Sequence, residues 1–210
     1  LLHGGADAVY IATPHASHYP YLLACIGAGV PVLCEKAFTV NAEQAKRAAN
    51  FARERGVLVM EGMWTRFLPL AKELRRIAAG EIGQIRSVEA EFSTGFSSSR
   101  AGRPLRLFRP EDAGGALLDI GCYCVSFCQM LFGRPDSVDC RMKFGGGIDT
   151  EEEIVLGYGG GLQCKIISSF ERPRRVFAKP AGDGGTVSIP EFNAPETMLL
   201  CRGGAEEELR

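Results

Sequence analysis

Three short runs of uninterrupted apolar residues, spaced by stretches of helical character, constrain this chain more than any other feature. Ala8 to Ala12 (AVYIA), Val30 to Cys34 (VPVLC) and Val57 to Met60 (VLVM) are too short for helices and show no polar alternation. They read as strands buried on both faces. Ser17 to Ala28 reads as the helix between the first two. Asn41 reads as an N-cap, with Gln44 three residues on as its capping-box partner, opening a helix that runs to Arg55 and stops at Gly56. Strands and helices in this alternation imply a parallel sheet covered on both sides. Leu1 to Ala6 read as the tail of a helix or its exit loop, so the chain opens in mid-fold.

After Glu61 the pattern changes. Leu68 to Ala79 reads as a helix closed by Gly80, followed by the alternating segment Ile85 to Phe92 and a Gly-, Ser- and Arg-rich loop from Ser93 to Gly114. A loop that long in a compact domain is usually functional. Gly115 to Phe132 reads as a helix. Strand-like runs follow at Ser137 to Phe144, Glu152 to Tyr158, Leu162 to Phe170 and Thr186 to Ile189, with a hairpin turn at Gly159 to Gly161. Antiparallel strands with few helices indicate an α+β domain, which puts one domain at residues 1–62 and a second at 63–210. No internal repeat is present.

Composition removes several function classes. The 24 basic and 25 acidic residues are spread along the chain, leaving no sustained positive face for a phosphate backbone, so nucleic acid is not expected as a partner. No apolar run approaches the ~18 to 20 residues of a membrane span and no signal peptide opens the chain, so no membrane partner is expected and the location reads as cytoplasmic. Eight cysteines form no C-x-x-C pair and fall inside apolar segments, which reads as free buried thiols rather than disulfides or a metal site. Cys122, Cys124 and Cys128 are the tightest cluster. The first two point to different sides of a helix and no His lies nearby, so no metal is expected.

Chemistry is expected where polar residues sit at the C-terminal ends of buried strands, the place where open α/β sheets bind ligands. Ala12, Thr13, Pro14 and His15, with His18 three residues on, leave the first strand and enter a helix whose N-terminus offers backbone N–H groups. A plain strand-to-helix turn capped by Ser17 is the ordinary alternative. Glu35 and Lys36 directly follow the second strand, and a charged pair there is costly to bury without a partner or a purpose; a solvated strand end is its alternative. Asp119 and Tyr123 lie four apart in an apolar helix and so share a face, where a carboxylate can orient a phenol; a helix-terminal Asp and a core Tyr would look the same.

The order of the segments says more than each alone. A-T-P-H-x-x-H, L-C-E-K-A, M-E-G-M-W-T-R-F and G-G-A-L-L-D-I-G-C-Y together resemble the Gfo/Idh/MocA oxidoreductases, and within them the dimeric dihydrodiol dehydrogenase-like branch, from residue 1 to about 195. E-K-A matches the family's E-K-P signature. D-I-G-C-Y matches the helix motif that ends in His in much of the family and in Tyr in this branch. The resemblance implies an α/β fold: the C-terminal part of a Rossmann-like parallel sheet, then an α+β domain with an open, mainly antiparallel sheet, with substrate bound between them. It departs at three places. Ala37 replaces the signature proline, so a cis peptide is not to be assumed there; Ala178 to Gly185 (AKPAGDGG) stands where relatives carry a Tyr-Gly-Thr-Lys-Gly-like turn; and Cys124 and Cys128 have no family role.

The resemblance implies hydride transfer between NAD or NADP and a secondary alcohol of a cyclic diol or sugar. Lys36, Tyr123 and Asp119 would be catalytic: Tyr123 removes the hydroxyl proton, Lys36 hydrogen-bonds the same oxygen, and Asp119 positions Lys36 or the substrate. Ala12, Thr13, Pro14, His15, His18, Glu35 and Lys36 would line the cofactor. Trp64, Arg66 and Phe67 are candidates for the substrate pocket wall, with packing as their alternative. A homodimer or higher homo-oligomer is implied for the intact protein. The competing reading is a noncatalytic sensor or scaffold derived from a Rossmann domain. Such enzymes open with a strand and a G-x-G-x-x-G turn that this sequence lacks; at ~30 residues per βαβ unit, the resemblance implies that on the order of 60 residues of the cofactor domain are missing from the N-terminus. The chain also stops early for the family, at Glu206 to Glu208. The 210-residue polypeptide is therefore expected to be a poor enzyme by itself. Isothermal titration should find no micromolar binding of NAD(P)H to it; micromolar binding would contradict the expectation.

Overall fold

The structure is a computed structural model that describes residues 4–96, 99–100 and 103–210. The chain divides into two compact units. One comprises Leu1–Met63, Ser98–Asp119 and Gly146–Ile148; the other comprises Trp64–Ser97, Ile120–Gly145 and Asp149–Arg210.

In the first unit, β1 (Val9–Ile11), α1 (His15–Gly27), β2 (Val32–Cys34), α2 (Ala42–Arg55) and β3 (Val59–Glu61) follow one another. The strands pair in parallel in the order β1-β2-β3, which brings Ile11, Cys34 and Glu61 side by side at their C-terminal ends. Ile11, Val32 and Cys34 point toward Leu22, Cys25 and Ile26 of α1 and Ala48 and Ala52 of α2, forming one buried cluster. Asn41 caps α2 by accepting from the Gln44 N–H at 2.9 Å, and Gly56 ends it in the left-handed region at φ 64°. The capping box is only half made, because Gln44 Oε1 is buried with no hydrogen-bond partner among the described residues.

Coverage of the sheet on both faces is corrected. Tyr10, Leu33 and Met60 stand in one register row on the face away from α1 and α2 and are 59%, 40% and 41% exposed. Both helices come from right-handed crossovers that step in the same direction along the sheet, so they fall on the same side. Helix α1 also starts at His15, two residues before the expected Ser17, with Pro14 at the N-cap.

The second unit begins with a 3₁₀ turn at Trp64–Phe67, then α3 (Pro69–Ala78) and β4 (Ile85–Ser93). Leu70, Ala71, Leu74 and Ile77 give α3 its buried stripe, and Pro69 opens it at a position where a missing N–H costs nothing. The expected loop from Ser93 to Gly114 holds the short antiparallel pair β5 (Ser99–Arg100) and β6 (Arg103–Pro104) and two 3₁₀ turns; its residues 97, 98, 101 and 102 lie outside the described residues, as do 1–3 at the chain start. The helix expected from Gly115 is two pieces: a π turn at Leu117–Gly121, then α4 (Cys122–Phe132).

Seven strands complete the unit: β7 (Ser137–Gly145), β8 (Ile148–Gly157), β9 (Gln163–Ser169), β10 (Arg175–Gly182), β11 (Gly185–Pro190), β12 (Met198–Arg202) and β13 (Ala205–Leu209). With β4 they form an eight-stranded sheet in the order β13-β12-β11-β10-β4-β9-β8-β7, in which β4 and β9 are parallel. Strands β10, β12 and β13 were not expected from the sequence. In β10 the AKPAGDGG segment looks like loop but is strand up to Gly182, with Asp183 and Gly184 as the hairpin turn. Pro180 pairs with Val88 of β4, while the ladder to β11 passes from Ala178↔Ile189 to Ala181↔Thr186, so the missing proline N–H falls on an interrupted stretch. Gly182 is required there, since a Cβ would lie 2.2 Å from the Ile82 carbonyl oxygen.

Residues Pro110–Phe132 are long and apolar enough, by length and composition, to cross a membrane. This corrects the expectation that no run approaches that length. The segment is largely core: 56% of its most apolar window is buried, and Cys124, Phe127 and Cys128 of α4 are among the buried residues. The cysteines also differ from expectation, since Cys140 is exposed and Cys122 and Cys201 are half-buried.

Glu152 of β8 is fully buried, with Ser168 Oγ donating to its Oε2. Burial, with the Asp149 carboxyl beside it, pushes its carboxyl up to about 8 from an ordinary 4.5. The folded state thus holds a proton that the unfolded chain releases, so this group's contribution is present below pH 4.5 and is lost as pH rises toward 8. Relative to the parent, Glu152→Gln should gain thermal stability between about pH 5 and about pH 8. Melting curves at the two pH values check this; an equal difference at both would contradict it.

Candidate active site

The ends of β1 and β2 open into a cavity of about 220 Å³ lined by Ala12, Thr13, Pro14, His15, Glu35, Lys36 and Arg106. Six of the seven are residues that the sequence singles out; Arg106 is not. All belong to the first unit. Parallel pairing puts the ends of β1 and β2 next to each other, so the residues after Ile11 and after Cys34 meet without any long-range device. The Glu35 N–H donates to the Ile11 carbonyl at 2.8 Å, extending the ladder one residue beyond the strand.

Lys36 is tied to Asp119. Its Nζ donates to the Asp119 backbone oxygen at 2.6 Å and lies 3.3 Å from Oδ1, with both side chains largely buried. The carbonyl belongs to the π turn, whose wider spacing departs from the α-helical ladder. Arg106 approaches the same carboxylate oxygen, with Nη2 3.7 Å from Oδ1. Arg106 opens a tight turn closed by Arg109 N–H to Arg106 O, Gly114 N–H to Arg109 O and Gly115 N–H to Leu107 O. A Cβ on Gly114 would lie 2.3 Å from the Leu107 oxygen, so the turn admits only glycine there.

The two histidines divide the work. His15 lines the cavity and points Nδ1 at the Ala113 carbonyl at 3.0 Å. A carbonyl only accepts, so Nδ1 carries the proton and Nε2 of the neutral ring is an acceptor. Burial lowers the His15 pKa from its ordinary value, against smaller opposing effects of the Ala113 carbonyl and Asp119. His18 is buried behind the wall, its Nδ1 2.8 Å from the Ala37 oxygen and its Nε2 2.8 Å from the Thr13 oxygen, bracing the two loops that follow β1 and β2. The Lys36-Ala37 peptide is cis although residue 37 is not proline. Glu35 accepts from the Tyr10 hydroxyl, a partner that sequence reading missed. That short contact raises the Tyr10 pKa.

Helix α1 meets the cavity with its N-terminus, has no acidic residue in its first turn, and is capped by Pro14 with no side-chain hydrogen bond. Its first N–H groups therefore face the site without a capping acceptor. Donors from the helix and Lys36, with acceptors from Glu35 and His15, line one concave space. This donor and acceptor set fits the carboxamide and ribose of a nicotinamide nucleotide. Among the described residues no group of His, Cys, Asp and Glu is disposed to hold a metal ion.

The remaining candidates lie in the second unit. The Tyr123 hydroxyl accepts from Trp64 Nε1 at 3.3 Å, and its ring packs on Phe92 with centroids 5.7 Å apart. Tyr123 and Arg66 line an apolar cavity with Leu70, Phe127, Phe192 and Met198. Arg66 is committed to α4, donating to Ser126 Oγ at 2.8 Å and Gln129 Oε1 at 2.7 Å. Phe67 is 69% exposed.

Residues 1–63 match a family model described as "Oxidoreductase family, NAD-binding Rossmann fold", and residues 71–188 match one described as "GFO/IDH/MocA C-terminal domain". The chain is 36% identical over 205 residues to a trans-1,2-dihydrobenzene-1,2-diol dehydrogenase of Mus musculus, covering 96% of this chain and 60% of that protein. It is 35% identical over 208 residues to an NADP+-dependent scyllo-inositol 2-dehydrogenase of Bacillus subtilis, covering 97% and 63%. The chain thus spans about 60% of the length of these relatives. Among solved structures, it superimposes on an aldose-aldose oxidoreductase from Caulobacter crescentus with a TM-score of 0.89 at 22% identity, covering 100% and 64% of the two chains. An inositol dehydrogenase homologue complexed with NAD+ from Azotobacter vinelandii gives 0.89 at 22%, covering 98% and 57%. At that identity the two likenesses show the fold.

The lowered His15 pKa has a defined stability signature. Its neutral ring contributes above the ordinary value of 6.5, and the contribution is lost as pH falls below it. Thermal stability of the parent should therefore fall more steeply below that pH than that of His15→Gln, whose amide can still donate to Ala113. Parallel slopes in melting experiments would contradict the assignment.

Proposed function

Because this chain belongs to the Gfo/Idh/MocA oxidoreductase family, we propose that it is the catalytic part of an NAD(P)-dependent dehydrogenase acting on a secondary alcohol of a cyclic diol or sugar. The observation that carries the reading is Lys36, an ammonium just past the end of β2, held on Asp119 in a cavity that suits a nicotinamide. Relatives named as dihydrodiol, scyllo-inositol and D-xylose dehydrogenases support the substrate class.

A bound nicotinamide would supply the acceptor for the carbinol hydrogen and its two electrons as the alcohol becomes a ketone. The chain's own residues orient and manage the proton. Lys36 Nζ donates a hydrogen bond to the alcohol oxygen, and its charge stabilises the negative charge that develops there. Asp119 keeps the ammonium in place, and a lysine pinned at a backbone oxygen loses little further freedom when substrate arrives. The Tyr123 oxygen takes the hydroxyl proton as its own O–H proton passes to solvent, so the phenol is regenerated. Thr13, Pro14 and His15 would hold the cofactor ring against the cavity wall, and Glu35 would accept from its ribose. His18 is a positioning residue for Thr13. Trp64 holds the phenol of Tyr123, and Arg66 and Phe67 shape the substrate side.

The reading extends to residues 1–62 as the cofactor domain and 63–210 as the substrate domain. It also extends to a cytoplasmic homodimer or higher homo-oligomer. Val138, Met142 and Phe144, exposed on β7, support association, and the absence of disulfides among the described residues suits a reducing compartment.

Kinetics of the protein expressed from its complete reading frame test the assignment. Lys36→Met and Tyr123→Phe should each lower kcat/KM by about 100-fold or more. Values within a few-fold of the parent for both would overturn it.

A further inference from the structure

Arg106 is the one residue of the Lys36 cavity wall that no sequence motif marked. Its Nη2 lies 3.7 Å from Asp119 Oδ1, and Lys36 Nζ lies 3.3 Å from the same oxygen. Two cations therefore flank one carboxylate oxygen on one side of a single cavity. They are not equivalent. Lys36 makes a 2.6 Å hydrogen bond to the Asp119 backbone and its side chain is 14% exposed, whereas the Arg106 contact exceeds hydrogen-bond length and its side chain is 49% exposed. The carboxylate holds the guanidinium in place by charge without consuming its N–H groups.

A guanidinium carries five N–H donors in a fixed plane and accepts nothing. Placed in a cavity wall, it serves an oxygen of whatever lies there. The Arg106 backbone is fixed as well, by the closed turn through Gly115 and by Gly114, where no Cβ fits. Because Lys36 Nζ and Arg106 Nη2 lie 3.3 Å and 3.7 Å from one oxygen, the two donors are close enough to serve neighbouring oxygens of a single ligand.

We infer that Arg106 is a specificity-determining residue: it hydrogen-bonds the oxygen adjacent to the reacting one, so the site selects vicinal diols and the corresponding α-hydroxyketones over isolated secondary alcohols. The inference rests on the dehydrogenase reading for which oxygen reacts, and adds the reason why a second one is required. A hydroxyl that finds no donor leaves both itself and the arginine short of a partner, and discrimination built on such pairs is steep.

The experiment compares trans-cyclohexane-1,2-diol with cyclohexanol, in the protein expressed from its complete reading frame, for the parent and Arg106→Leu. The ratio of kcat/KM for the diol to that for the mono-alcohol should fall by about 10- to 100-fold in the variant, carried by KM for the diol. A ratio within about 3-fold of the parent's overturns the inference. Arg106→Lys, which keeps the charge on Asp119, guards against a folding defect: it should lose the preference in part, and an unchanged ratio there counts against the inference equally. If the parent oxidises neither alcohol, the dehydrogenase reading is at fault. Isothermal titration of both alcohols into protein saturated with NADPH then decides. Tighter binding of the diol that Arg106→Leu abolishes supports the role of Arg106, and equal binding of the two alcohols overturns it.

Discussion

The contact between Lys36 and Asp119 is the constraint on which the rest of the site depends. Burying an ammonium and a carboxylate costs several kcal/mol per ion, and only good geometry with further hydrogen bonds offsets it. Here the shorter contact is to the Asp119 backbone oxygen and the longer one to its carboxylate. The lysine is therefore pinned first by the main chain of the π turn and only second by charge. A regular α-helix directs each interior carbonyl to the N–H four residues on, which leaves little for a lysine. The turn at Leu117–Gly121 is thus matched to the ammonium it meets.

Around that contact the first unit is arranged in shells that each fix the next. The parallel register of β1 and β2 puts the two loops side by side, His18 braces both from behind, and Ala113 fixes the tautomer of His15 at the cavity wall. Glu35 accepts from the Tyr10 hydroxyl through one oxygen, and its carboxylate keeps acceptor capacity toward the cavity. Little of this uses long side chains reaching across the molecule. Most of it is side chains hydrogen-bonded to backbone carbonyls, which fixes the loops through the main chain.

The parallel strands, α2 with its Asn41 cap and Gly56 stop, and the grouping of Thr13, His15, Glu35 and Lys36 could be read from the sequence, because each follows from local pattern. Apolar runs mark buried strands, and the residues directly after them in a parallel sheet must be neighbours. What could not be read depends on contacts distant in the chain. Arg106 and Ala113 sit in a Gly- and Arg-rich stretch without periodicity and reach His15 and Asp119 only in the folded chain. The π turn hides in a sequence with ordinary helical spacing. Strand β10 contains Pro180 and ends on Gly182, residues that argue against a strand unless the pairing at that point is known to be interrupted. Exposure of Tyr10, Leu33 and Met60 was illegible for a different reason: a run apolar at every position does not say which face is covered.

A crystal structure of the protein from its complete reading frame, with NADP+ and trans-cyclohexane-1,2-diol, tests the central claim most directly. The account predicts that the cofactor's nicotinamide end lies against Thr13 and His15, with Lys36 still bonded to the Asp119 carbonyl and donating to a substrate oxygen. Cofactor or diol bound outside this cavity, or Lys36 released from Asp119 and turned away from the diol, would contradict it.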